Sequence, residues 1–162
     1  MFCSPVLFVA ISVACVASTA LALPTKIDKE TVFTVTIVDD VSKFKDLPAG
    51  AKLIPLSQSR STRDAILYTL GERKKGDAIV SQASDSLTFK TPQRVVMNFK
   101  YPSEGEVTAI ITFVQILIEQ SNSEGRAYVV SGGIGQRSIE MIVEASNTTL
   151  LKFTSTIYGI ED

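Results

Sequence analysis

The chain has 162 residues, with 16 Lys plus Arg set against 17 Asp plus Glu. Apolar residues make up 45% and charged residues 20%, the balance of a globular chain and not of a disordered one. Near-neutral charge argues against direct nucleic-acid binding, which draws most of its non-specific affinity from a basic excess that neutralises phosphates.

Residues 1–22 read MFCSPVLFVAISVACVASTALA. Val6–Ala17 is apolar apart from Ser12, and no charged side chain precedes Lys26. The run has the length of a signal h-region and falls short of the ~20 residues of a membrane-spanning helix. Ala20-Leu21-Ala22 supplies the small-x-small pattern that signal peptidase requires, so cleavage is expected after Ala22. Both cysteines, Cys3 and Cys15, lie inside this leader. The mature chain, residues 23–162, is therefore expected to be one secreted, disulfide-free domain with no transmembrane segment. On that route Asn147-Thr148-Thr149 becomes a candidate glycosylation acceptor.

After a polar lead-in at Leu23–Glu30, Thr31–Val38 reads TVFTVTIV, a strand by its β-branched and aromatic content. Asp39–Lys52 reads as loop, with one helical turn around Val41–Leu47. Asp39-Asp40 has the chemistry of a calcium ligand, but no EF-hand loop surrounds it. Ser57–Arg63 lacks apolar residues and reads as a mobile loop.

Short strands then follow in quick succession. Ala65–Leu70 precedes the turn Gly71–Asp77, GERKKGD, whose Gly76 and Asp77 carry the turn chemistry. Ala78–Ala83, a turn at Ser84-Asp85-Ser86, Leu87–Lys90 and Arg94–Tyr101 come next. In the last of these Val95, Met97, Phe99 and Tyr101 share one face. Pro102–Glu106 is a break. Val107–Glu119 is apolar on both faces, as a doubly covered central strand would be, or a homo-oligomer interface. Arg126–Val130 leads to the glycine cluster Ser131–Gln136. Ser138–Ala145 alternates, with Ile139, Met141, Val143 and Ala145 inward, and Leu150–Ile157 closes the fold. About eight strands with turns every eight to twelve residues predict an all-β antiparallel sandwich or barrel-like domain.

Histidine is absent, which removes the usual general base near neutral pH and the commonest metal ligand. A mature chain without cysteine excludes thiol catalysis and thiolate zinc sites. No cofactor motif is present, and no enzymatic activity is expected. Gly132, Gly133, Gly135 and Gln136 could expose backbone N–H groups to an anion. They do not form GxGxxG and no helix pattern follows, so a tight β-turn is the better reading. Arg73-Lys74-Lys75 reads as a solvated turn, with a contact patch for an acidic partner as the alternative.

Four stretches carry a family resemblance: Gly71–Gln82, Val107–Gln120, Gly125–Ser146 and Phe153–Ile160. Together, with the GGxGQ turn and the closing Ile-Tyr-Gly, they resemble the insect type-two multiprotein bridging factor family, many of whose members are called salivary secreted peptides. The likeness runs from about Leu70 to Ile160. The polar Ser57–Arg63 stretch and the cysteine-free mature chain depart from the pattern. The resemblance implies protein partners and no catalytic residues. It points either to an extracellular binding protein of saliva or haemolymph type, the reading favoured by residues 1–22, or to a transcriptional coactivator bridging a nuclear-receptor-type factor to the general machinery.

Overall fold

A computed structural model describes residues 32–37, 53–62, 65–105 and 107–161. The leader with Ala20 and Ala22, the Asp39-Asp40 pair and the helical turn at Val41–Leu47 lie outside the described residues. Eight strands form one antiparallel sheet: β1 Val32–Ile37, β2 Ile54–Pro55, β3 Ser57–Thr62, β4 Ala65–Gly71, β5 Ala78–Tyr101, β6 Ile110–Gln120, β7 Gly125–Gly132 and β8 Ile139–Ile160. Among the described residues there is no helix, as the strand pattern predicts.

Two strands dominate. β5 has 24 residues and β8 has 22, several times the usual strand length. They pair from Ala78 opposite Gly159 to Tyr101 opposite Ile139, with the register slipping between Ile79 and Ser81, between Thr88 and Gln93, and again before Val95. Pro92 falls inside the slip between Thr88 and Gln93, where the absence of an N–H costs no ladder bond. Opposite it, Asn147 takes a φ of 52°. Both strands therefore turn a corner at one level. The other edge of β8 is shared end to end, with β6 on Leu151–Ile160 and β7 on Ile139–Ala145.

The corner brings the two halves of the sheet face to face. β2 pairs with β7, and β3, one residue later, pairs with β4. Leu56, 6% exposed, is the hinge between them, and its N–H donates to the Ala127 carbonyl at 3.0 Å. Since β4 pairs β6 and β6 pairs β8, the hydrogen-bonded circuit closes into a barrel-like form.

One core fills it. Val95, Met97, Phe99 and Tyr101 from β5 point inward with Ile139, Met141, Val143 and Ala145 from β8, all eight at 1% exposure or less, as their alternation predicts. Ile66, Ile116, Ile118 and Phe153 face them from the other half. A bulge between Ile111 and Phe113 keeps Ile111 and Val114 on the inner face.

Three sequence expectations are corrected. Ser84-Asp85-Ser86 is not a turn: it runs straight through β5, paired with Lys152, Phe153 and Thr154. Ser138–Ala145 and Leu150–Ile157 likewise merge into β8. Ser57–Arg63 is not a loop along its length, since Ser57–Thr62 is an edge strand held by β4. In addition, Val107–Glu119 is not covered on both faces. β6 begins at Ile110, its inner side chains are buried and its outer ones half-buried. β6 is hydrogen-bonded on both edges, so any self-association through it would have to use that outer face.

A buried hydroxyl stands out in this apolar interior. Tyr68 is 1% exposed, and its OH finds no hydrogen-bond partner. Burial, then the nearby Glu144 and Tyr128, pushes its pKa up to about 12. The hydroxyl abuts Gly125, where an added Cβ would lie 2.8 Å away. Tyr68→Phe removes an unsatisfied polar atom without opening a large cavity. It is expected to raise the unfolding free energy by about 1 kcal/mol. A lower denaturant midpoint would show that the hydroxyl is hydrogen-bonded in solution.

Candidate binding cleft at one end of the barrel

The glycine turn folds back on the barrel. Gly133 N–H donates to the Ser138 carbonyl at 2.9 Å, Gln136 N–H to Gly133 at 3.1 Å, and Gly135 N–H to Ile111 at 2.8 Å. Ile111 N–H returns a bond to the Gln136 carbonyl at 2.8 Å. These donors are engaged by protein carbonyls and do not converge on a ligand position. Ile134 at the tip packs on the core beside Gly71, so the Ser131–Gln136 and Gly71–Asp77 turns lie at one end.

At that end the Gly71–Asp77 turn is locked to the barrel wall. Arg73 Nε donates to Asp77 Oδ1 at 2.9 Å, and the Lys74 N–H and Thr112 hydroxyl donate to Oδ2, each at 2.9 Å. The guanidinium also lies 3.7 Å over the Tyr158 ring, a cation–π contact. The Asp77 side chain is 1% exposed. The Arg73 hydrogen bond is the chief reason its pKa falls from 3.8 to about 2; burial opposes the fall, and Lys74 and Thr112 assist it. A carboxylate with a depressed folded-state pKa stabilises fully above its unfolded value, and that stability is lost as pH falls through the folded value. Between pH 3.8 and about 2, Asp77→Asn should therefore lose less stability than the wild type. Parallel melting curves against pH would show the two converging; parallel acid limbs would sink the assignment.

Beside the glycine turn, a cleft of about 770 Å³ opens between Tyr101–Gly105 with Val107 and Thr108 on one side and Ser131 with Arg137–Glu140 on the other, within the size range of ligand sites. Its floor holds Tyr101 and Ile139, each 1% exposed. Its rim carries Lys100, Arg137, Glu104 and Glu140. Glu140 is held in place: Asn98 Nδ2 donates to Oε1 at 3.0 Å, and the Ser131 hydroxyl donates to Oε2 at 3.3 Å. Arg137 Nε donates to the Thr108 carbonyl at 3.1 Å and ties the two walls together. An apolar floor under fixed charges of both signs suits a polypeptide segment with polar ends. Among the described residues no group of three or more His, Cys, Asp or Glu could hold a metal ion.

The sequence-predicted turn residues fall around this end. Gly132, Gly133, Gly135 and Gln136 form the turn; Gly76 and Asp77 belong to the locked loop; Asn147 lies far off at the β8 corner. The cleft residues Lys100, Arg137 and Glu140, and Asn98 that holds Glu140, carry no sequence motif that marks them. The local signals were the Pro102–Glu106 strand break and the adjoining Ser131–Gln136 turn, whose Ser131 lines the cleft.

Comparison with known proteins now adds one finding. Residues 70–159 match the model of the transcription activator MBF2 family. The chain belongs to that family. The matched span takes in β5, β6, β7 and nearly all of β8, the cleft and both end turns, and leaves out β1, β2 and β3. The family unit is thus the two bent strands with their shared partners, which is the resemblance the sequence motifs carried. No curated protein and no solved structure matches the chain. No helix of the described residues is long and apolar enough to cross a membrane.

Proposed function

We propose that this family member is an exported, non-enzymatic interaction protein whose end cleft receives a polypeptide segment of a protein partner. The observation that carries it is the cleft itself: rigidly held charges of both signs over an apolar floor. Export rests on residues 1–22, an uncharged apolar leader ending in Ala20-Leu21-Ala22. Protein contact is also what the family's description as transcription activators leads one to expect.

Two measurements test this. The full chain expressed in insect cells should appear in the medium with Leu23 at its amino terminus; retained protein that keeps Met1 would end the export reading. A partner captured by the wild type should bind the Lys100→Glu, Arg137→Glu variant about tenfold or more weakly, since bonds to charged groups contribute roughly 1.5–3 kcal/mol each. Unchanged capture would move the contact elsewhere.

Family membership favours a second reading, a transcriptional coactivator that bridges an activator to the general machinery. A reporter driven by the activator should then respond to the chain lacking residues 1–22. No rise in transcription counts against this reading.

A further inference from the structure

We infer that Asn147 carries an N-linked glycan, which shields the β8 corner and leaves the end cleft as the accessible binding surface; this rests on the export reading. Asn147-Thr148-Thr149 is the one N-x-Ser/Thr sequence in the chain. The fold presents it in a specific way. Asn147 is exposed, and its side-chain amide makes no hydrogen bond within the described residues. It is the one described non-glycine residue with positive φ, at 52°. Its backbone is pinned instead: Asn122 Nδ2 donates to the Ser146 carbonyl at 2.7 Å and to the Asn147 carbonyl at 2.6 Å. Thr148 is fully buried, its hydroxyl donating to the Leu150 carbonyl at 2.5 Å, and the Thr149 N–H donates to Ser121 Oγ at 2.9 Å. The neighbours thus anchor the corner, and the exposed Asn147 amide takes no part in holding it. A bulky polar group there displaces nothing.

The chemistry needs one co-reactant, a lipid-linked oligosaccharyl diphosphate, supplied by the membrane transferase of the secretory route. The Asn147 Nδ2 forms a bond to the anomeric carbon of the first sugar. The bond from that carbon to the diphosphate oxygen breaks, the lipid diphosphate leaves with the electron pair, and Nδ2 gives up one of its two protons.

The position has a consequence for binding. A second cleft, of about 660 Å³, includes Ser123, Glu124 and Ser146 in its lining, beside the acceptor. The nearest β8 residue of the end cleft is Glu140, about 23 Å back along the strand at ~3.3 Å per residue. A glycan at Asn147 crowds the second cleft and leaves the first open.

The test uses the full chain secreted from insect cells. Peptide mapping should find sugar on Asn147, and glycoamidase treatment should convert that residue to Asp and increase gel mobility by one step. Asn147→Gly keeps the positive φ, removes the acceptor and should migrate as the deglycosylated wild type with an unchanged melting midpoint. Thr149→Ala should do the same, whereas Thr149→Ser should retain the sugar. Secreted protein with a bare Asn147 overturns the glycan and spares the export reading. Protein retained with Met1 attached overturns both.

Discussion

Phe153→Ala is expected to lower the unfolding free energy by about 3–5 kcal/mol, the usual range for removing a buried aromatic ring. Phe153 is 1% exposed and Phe99 fully buried; their rings meet edge to face, 5.2 Å apart at 84°. The two residues belong to opposite halves of the bent sheet. Phe153 pairs with Ile118 of β6 past the corner, and Phe99 pairs with Met141 before it. The ring therefore fills the space across which the halves face each other, and no neighbouring strand can close over its absence without moving the corner. Of a total stability of about 5–15 kcal/mol, that loss removes from about a fifth to nearly all. Urea unfolding measures the loss. A double-mutant cycle with Phe99→Leu should return a coupling of about 0.5–1.5 kcal/mol. A single-mutant loss below about 1 kcal/mol would mean that the halves do not meet at this contact.

Gly132→Ala should be nearly as damaging, and for a different reason. Gly132 has φ 67°, and an added Cβ would overlap the Ser138 carbonyl oxygen, which belongs to the backbone and cannot swing away. Left-handed strain alone costs about 1–3 kcal/mol, and the collision adds to it by forcing the turn off β8. Gly133 is the informative control. Its φ is 140°, but nothing lies within 4 Å of its built Cβ. Gly133→Ala should thus pay strain alone, and Gly132→Ala should unfold at the lower temperature. The opposite order would show that the turn is not held by its return to Ser138.

The inner face of the barrel was legible because alternation there is enforced by burial. Val95, Met97, Phe99 and Tyr101 announce their side in the sequence, and a slip of one residue would turn all four to water. The end turns were legible because glycine at positive φ leaves a compositional mark. Ser84-Asp85-Ser86 was misleading because its strand character comes from Lys152, Phe153 and Thr154 across the ladder, nearly seventy residues away in sequence. Local propensity for a turn is worth less than that pairing. Ser57–Thr62 was illegible for the complementary reason. All of its residues are polar, and the strand exists because β4 offers an edge. The cleft was hidden because Lys100 lies nearly forty residues before Arg137 and Glu140 and joins them only when β5 pairs with β8, which sets Lys100 opposite Glu140.

The strand β8 has a bearing on how the protein is made. It is the partner of β5, β6 and β7, yet it follows all three along the chain. While a ribosome is still producing residues 139–160, the inward faces of β5 and β6 lack the long strand with which both of them pair. The barrel cannot assemble piece by piece from its amino-terminal side, and its assembly waits for synthesis of the last long strand. In that interval the nascent chain exposes greasy ribbons with unpaired edges, the species most prone to clump. Covering those surfaces until β8 is complete is the task a holding chaperone performs.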